Sequence, residues 1–249
     1  ILAKIISADG IIYVIDQNSE VTKDFENDDK HNIYFMKMNA DKYTNGYKKE
    51  IVDNFIKYHK KNCKLSITRN DLFIDSYTLM DIYNAVTNDI PVMTKNVLFT
   101  GNCIPASCFL NVRIGFTLRE IVNQLGGFIK NPGTIIINGK LCGHANNNLD
   151  IPITKYVKSV EFISKANTTD SQVYSCVKCG SCRFNCPVKI APDILYDYVL
   201  KKTDIPQAYL KTATLCTNCG ICNTVCQARI PLCQVITMIK NKMDKENEK

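Results

Sequence analysis

No apolar run in these 249 residues approaches the roughly 20 needed to cross a bilayer, so any membrane contact is expected to be peripheral. Histidine is scarce. His31, His59 and His144 stand far apart, with no Glu or Asp at metal or triad spacing, and they read as surface or hydrogen-bonded residues. The lysines are many but scattered, so the formal charge of +7 and the pI near 8.7 arise without a dense basic block. A solvated surface is the plain reading of that charge, and an acidic protein partner or an anionic membrane face is the sharper one. No motif supports nucleic acid as a partner. No stretch reads as a secretion signal, which disfavours a disulfide framework for the 13 cysteines. A hydrophobic fraction of 45% is ordinary for globular protein and leaves room for one large domain or two to three small ones.

Cysteine is what the chain has in quantity, and eight of the thirteen fall in a repeat. Cys176-Val-Lys-Cys179-Gly-Ser-Cys182-Arg-Phe-Asn-Cys186-Pro187 is answered 40 residues later by Cys216-Thr-Asn-Cys219-Gly-Ile-Cys222-Asn-Thr-Val-Cys226. Two residues between each of the first three cysteines wrap a loop around one corner of a cubane, so three thiolates reach three irons and the fourth points away. In two-cluster ferredoxins that fourth cysteine, followed by proline, ligates the other cluster. The pattern therefore predicts one 4Fe-4S cluster on Cys176, Cys179, Cys182 and Cys226, and a second on Cys216, Cys219, Cys222 and Cys186. The second run departs from the full motif, because Gln227 stands where the proline would be and Pro231 follows only later. Zinc is the lesser alternative, since a structural zinc takes four ligands and these runs supply two triplets plus two outliers. Cys63, Cys103, Cys108, Cys142 and Cys233 lie outside the runs and read as small hydrophobes, with Cys142 the best placed of them for chemistry.

Upstream, the periodicity predicts layered α/β and α+β structure. Ile11 to Ile15 and Ile33 to Met38 read as strands buried on both faces, with a polar loop or short helix over Asp16 to Lys30 between them. Tyr47, Ile51, Phe55 and Tyr58 share one face of an amphipathic helix, and Thr78 to Asn88 is a second helix with Leu79, Ile82, Tyr83 and Val86 inward. Aromatics such as Tyr13, Tyr34 and Phe35 read as core. Val97 to Thr100 and Phe109 to Ile114 are strands, and Thr117 to Leu125 is a helix ended by Gly126-Gly127. Thr134 to Asn138 is a strand entering the turn Gly139 to Gly143, and Val157 to Ile163 returns before a polar linker, Ser164 to Ser171. Strand, strand, helix, strand in so short a span suggests a β-grasp unit. Between and after the cysteine runs, Pro192 to Lys202, Pro206 to Thr212 and Leu232 to Met243 are predicted helices, with Asp244 to Lys249 a frayed tail.

These residues resemble the C-terminal two thirds of the RnfC family, the peripheral subunits of Rnf electron-transport complexes. Lys42-Tyr43-Thr-Asn-Gly46-Tyr-Lys-Lys49 is similar to a stretch near that family's flavin pocket, with Thr44 and Tyr47 departing from it. Val97-Leu-Phe-Thr-Gly101, Gly115, Leu118, Gly126-Gly127 and Gly139 to Gly143 resemble its β-grasp domain, called SLBB. The cysteine runs, with Ile190 and Pro192 after the first and Ile230-Pro231-Leu232 after the second, resemble its ferredoxin end. The resemblance implies a partial α/β flavin- and NADH-type domain over 1–92, an SLBB domain over 93–165 and an α-helical ferredoxin domain over 166–249. The family's glycine-rich loop for flavin and nicotinamide phosphates has no counterpart in these residues. The chain opens on Ile1 rather than methionine, and an upstream piece is expected; FMN and NADH enter only if that piece exists.

The resemblance implies an electron-transfer subunit rather than a self-sufficient catalyst. Electrons would pass through two 4Fe-4S clusters, from a flavin, NADH or ferredoxin-side donor to a membrane-bound acceptor. Its partners would be the other subunits of a membrane complex and a donor or acceptor protein, on the cytoplasmic, inner face of the cell membrane. Two other readings stay open: a ligand- or partner-binding module with structural or redox-sensing clusters, and a cobalamin-reductase-like carrier of a microcompartment.

Overall fold

The computed structural model describes residues 2–20, 25–59, 63–68, 70–167, 172–202 and 204–247. Residues 1–90 and 91–249 form two compact units, and both mix helix with sheet.

The first unit opens with a one-turn helix, α1 (Leu2–Ile5), before strands β1 (Ile11–Asp16) and β2 (Ile33–Met38). These two pair in parallel, Ile11 opposite Ile33 and Asp16 opposite Met38. Alternate residues of β2 turn inward, so Tyr34, Met36 and Met38 are buried, whereas no residue of β1 is. The strands therefore bury one face and not the two that their apolar runs predict. Helix α2 (Lys48–Asn54) continues as a π-helical turn, Phe55–His59, and lays Ile51 and Phe55 on Met36 and Met38. Helix α3 (Ser76–Thr87) is started by Asp75, whose carboxylate accepts from the Thr78 N–H at 2.8 Å. Its expected inner stripe is not covered: Leu79, Tyr83 and Val86 are exposed and no residue of the helix is buried.

The second unit begins with a five-stranded sheet built from β3 (Thr94–Gly101), β4 (Cys108–Arg113), β5 (Pro132–Ile137), β6 (His144–Asn146) and β7 (Ser159–Ser164). The strand order is β4-β3-β7-β5-β6, and the first and last strands run parallel at its centre while every other neighbour is antiparallel. Helix α4 (Leu118–Gln124) carries a reciprocal cap, Thr117 and Glu120 each bonding the other's backbone N–H. It buries Leu118, Ile121 and Val122 against Val97, Phe99, Ile135, Val160 and Phe162. Each such side chain contributes about 1.5–3 kcal/mol by leaving water. Residues 165–167 make a 3₁₀ turn, and the rest of the expected linker, 168–171, lies outside the described residues.

The cysteine region is helical. Short helices α5 (Ser181–Phe184) and α8 (Ile221–Thr224) sit inside the two runs, and α6 (Pro192–Lys201), α7 (Gln207–Thr212) and α9 (Leu232–Asn247) lie between and after them. Helix α9 continues four residues beyond its expected end at Met243. Ile190, Leu195, Ala213, Val235, Ile236 and Ile239 form the core between α6 and α9.

Candidate functional site

Both cysteine runs follow the same backbone path. Lys178 and Asn218 adopt left-handed φ of 58° and 55°, Gly180 and Gly220 follow at 75° and 74°, and Lys189 and Arg229 close the loops at 56° and 55°. The turn bonds repeat with them: the Cys186 N–H donates to the Arg183 carbonyl at 3.3 Å and the Cys226 N–H to the Asn223 carbonyl at 3.3 Å. Left-handed backbone is costly for residues with a Cβ, so its recurrence at Lys178, Lys189, Asn218 and Arg229 marks positions that the surrounding loop holds in place. Gln227 leaves this path unchanged; Arg229, not a proline, makes the turn.

The thiols gather across the two runs. Cys176, Cys179 and Cys182 of the first run line one recess together with Cys226 of the second, and Ala228, Ile230 and Leu232 supply its apolar wall. Cys219 lies within electrostatic reach of both Cys216 and Cys186. Cys186 and Cys216 pack into the core between α6 and α9, and Cys182 and Cys222 share a second apolar cluster with Cys176 and Cys226 at its edge. Among the described residues, no group of three or more His, Cys, Asp or Glu side chains is drawn together tightly enough to hold a single metal ion.

Burial pushes the Cys182 and Cys219 thiols up, and Cys216 rises through its hydrogen bond with Cys233 and its burial. Cys179, which is exposed, is held below the usual thiol range by hydrogen bonds to Ser181. Thiols of the first kind are protonated near neutral pH, so metal loading would expel protons and be favoured by rising pH.

The two loops differ in what braces them. In the first, Asp193 is 2% exposed and takes a two-pronged ion pair from Arg183, both distances 2.6 Å, with Cys182 Sγ at 3.9 Å from its Oδ1. Burial would raise that carboxyl, but the guanidinium outweighs it and holds the pKa below the carboxylate range. Lys178 pairs with Asp197, which Lys201 also reaches at 3.1 Å. In the second loop, 40 residues on, Asn223 stands for Arg183, Cys233 for Asp193, Asn218 for Lys178 and Thr237 for Asp197. The Asn223 side-chain oxygen accepts from the Cys233 N–H at 2.8 Å, and Thr237 reaches Asn218 at 3.3 Å. The β-sheet turn 139–143 also meets this loop, for a Cβ at Gly220 would fall on the Leu141 carbonyl.

Other singled-out residues play smaller parts. Cys103 is fully buried in the sheet core, and Cys63 and Cys108 pack at core edges, as small hydrophobes do. Cys142 is exposed, with its thiol 3.6 Å from the Asn138 carbonyl. Cys233 is the residue that the spacing rule passes over: it is buried in the apolar cluster that holds Cys222, and its N–H donates to the Asn223 side chain. Extending the 40-residue register beyond the motif, to its match with Asp193, is the signal that finds it. His31 bonds to Asp28 at 2.6 Å, and the Lys42 to Lys49 stretch leads into α2 with the Tyr43 and Tyr47 hydroxyls 3.1 Å apart.

No protein-family model matches the chain. Curated proteins do, and those it resembles are the RnfC-type components of ion-translocating oxidoreductase complexes. One belongs to the proton-translocating ferredoxin:NAD(+) oxidoreductase complex of Clostridium ljungdahlii and is 34% identical over 118 residues, 47% of this chain and 26% of that protein. Its counterpart in the Na(+)-translocating ferredoxin:NAD(+) oxidoreductase complex of Acetobacterium woodii is 23% identical over 193 residues, 76% of this chain and 43% of its own. The corresponding protein of the ion-translocating oxidoreductase complex of Buchnera aphidicola is 28% identical over 204 residues, 80% and 42% of the two chains. The chain thus spans less than half the length of the curated relatives it matches. Among the described residues no helix is long and apolar enough to cross a membrane.

Proposed function

We propose that this chain is an iron–sulfur electron-transfer subunit of an Rnf-type oxidoreductase complex, working between a flavin, NADH or ferredoxin-side donor and a membrane-bound acceptor. One observation carries the reading: Cys226 meets Cys176, Cys179 and Cys182 around a single recess although it lies 50 residues from the first of them. Soft thiolates with an apolar wall fit an iron–sulfur cluster. Cys176, Cys179, Cys182 and Cys226 would hold one 4Fe-4S cluster, and Cys216, Cys219, Cys222 and Cys186 the other. When bound, such clusters supply reversible one-electron transfer. The protein's own work is to present the thiols on left-handed loops, to wall them from water with Ile230 and Leu232, and to place Asp193 with Arg183 beside the first quartet.

Three domains are part of the same proposal: a flavin- and NADH-type α/β segment over 1–92, an SLBB β-grasp domain over 93–165 and an α-helical ferredoxin domain over 166–249. A sheet whose first and last strands run parallel at its centre, crossed by one helix, suits the β-grasp assignment. FMN and NADH belong to the proposal only if a segment with a glycine-rich loop precedes these residues. Attachment to the cytoplasmic face of the membrane would then come from the other subunits of the complex.

Anaerobically purified protein should be brown and hold about eight irons, two clusters of four, per chain. Cys186→Ser should alter the same electron paramagnetic resonance signal as Cys216→Ser and spare the one altered by Cys176→Ser. Stoichiometric zinc in place of iron would overturn the reading, and Cys186→Ser tracking Cys176→Ser would overturn the crosswise ligand sets.

A further inference from the structure

Helix α9 grips the opening of the second cysteine run from one side. Thr237 and Lys240 stand one turn apart on it, and both reach that segment. Thr237 donates to the Asn218 side chain at 3.3 Å, and Lys240 Nζ donates to the Cys216 carbonyl at 3.4 Å. The Asn218 N–H in turn donates to Cys216 Sγ, also at 3.4 Å. Cys216 packs at the edge of the core between α6 and α9, so the ammonium group is fixed against a half-buried ligand segment.

The first run is charged differently. Its cations are each answered by a carboxylate, Lys178 by Asp197 and Arg183 by Asp193. At the second run those four places hold Asn218, Thr237, Asn223 and Cys233, and the positive charge comes instead from Lys240, whose place 40 residues earlier is taken by Leu200. Lys240 answers a carbonyl rather than a carboxylate in its bond to this run. Reduction adds an electron to a cluster that four thiolates already make anionic, so nearby charge and N–H donors to sulfur set how readily it is taken up. Burial of Cys186, Cys219 and Cys222 works against the added charge. A fixed cation and an N–H bond on Cys216 work for it, and the half-buried setting screens them less than water would.

We propose that Lys240 is a positioning residue for electron transfer, a fixed cation at the Cys216 carbonyl that raises the reduction potential of the second cluster and draws the electron toward it. This rests on the cluster reading above. In the transfer one cluster loses a single electron and the other gains it. No bond forms or breaks, no proton moves, and Lys240 keeps its charge throughout.

The test is a redox titration of the full anaerobic chain followed by electron paramagnetic resonance, the second-cluster signal being the one that Cys216→Ser alters. Each Lys240 variant should keep about eight irons. Lys240→Met should lower the midpoint potential of the second signal and leave the first unmoved. Lys240→Gln, which keeps a hydrogen-bond donor without the charge, should lower it as the methionine does, and Lys240→Arg should hold it at the wild-type value. The glutamine and arginine variants carry the comparison if the methionine variant fails to fold. A methionine variant that titrates as wild type, a glutamine variant at the wild-type potential, or an equal shift of both signals overturns the role of Lys240 and leaves the cluster reading standing. Loss of iron from Lys240→Gln makes the residue a structural support of Cys216 and overturns the role too, and wild type without iron removes both.

Discussion

The two cysteine loops share one backbone and almost none of its surroundings. Their left-handed residues agree within a few degrees and their turn bonds recur, yet Arg183, Asp193, Lys178 and Asp197 around the first become Asn223, Cys233, Asn218 and Thr237 around the second. On the proposed cluster reading, presenting three thiols to one cubane would constrain φ and ψ at each step, which accounts for the shared path. The bracing side chains are under no such constraint: any donor–acceptor pair that satisfies the loop will serve. Divergence therefore collects in the electrostatics, where charge and hydrogen bonds would tune the proposed clusters.

The widest difference between the loops should come from their glycines. At Gly180 a Cβ would meet nothing within 4 Å, so Gly180→Ala should cost about 1–2 kcal/mol for left-handed backbone alone. Gly220→Ala adds a collision with the Leu141 carbonyl, worth about 1–3 kcal/mol more, and should shift the urea midpoint further. Equal shifts would show that the sheet turn does not press on the second loop.

Next in size is the brace. Arg183→Ala strands a buried Asp193 carboxylate and should cost about 2–4 kcal/mol, below the roughly 3–5 of a fully buried pair because Arg183 is 47% exposed. Asn223→Ala removes an acceptor from the Cys233 N–H and should cost about 1–2 kcal/mol. Denaturant titration of the two variants side by side would break the comparison if the order reversed.

The smallest effect is a dependence on acid. Asp193 and Asp197 both have pKa values held below the carboxylate range by their cationic partners, which outweigh burial. A lowered carboxyl contributes stability that is present above its unfolded pKa and lost as pH falls through the folded one. Wild type should therefore lose stability relative to Asp193→Asn/Asp197→Asn as pH drops through and below the ordinary carboxylate range near 3.8. The second loop, with Cys233 and Thr237 at these places, should add nothing to that slope, and a difference between the two proteins that ignores pH would contradict the assignment.

Reading ahead from sequence succeeded where a pattern is local. The helix that begins at Thr117 and its Gly126-Gly127 stop express short-range rules, and both appear in the fold. It failed where a second surface decides. Leu79, Tyr83 and Val86 make a proper helical stripe on α3, but periodicity states only that a face could be buried, not that anything covers it. Three-residue β6 is too short to show a period at all, and it exists because β5 offers it an edge. The charged residues after Met243 read as a tail, although Lys and Glu are good helix formers and extend α9 once its apolar face is docked.

Sequence alone determined the eight thiols and their 40-residue register, since both follow from residue order, whereas the left-handed backbone at Lys178, Lys189, Asn218 and Arg229 came with the fold. Tertiary structure alone decided that Cys233 shares the apolar cluster of Cys222 and that Leu141 rests on Gly220. Such contacts join segments far apart in the chain, and only the packing of α9 and the sheet turn against the loops brings their atoms within reach.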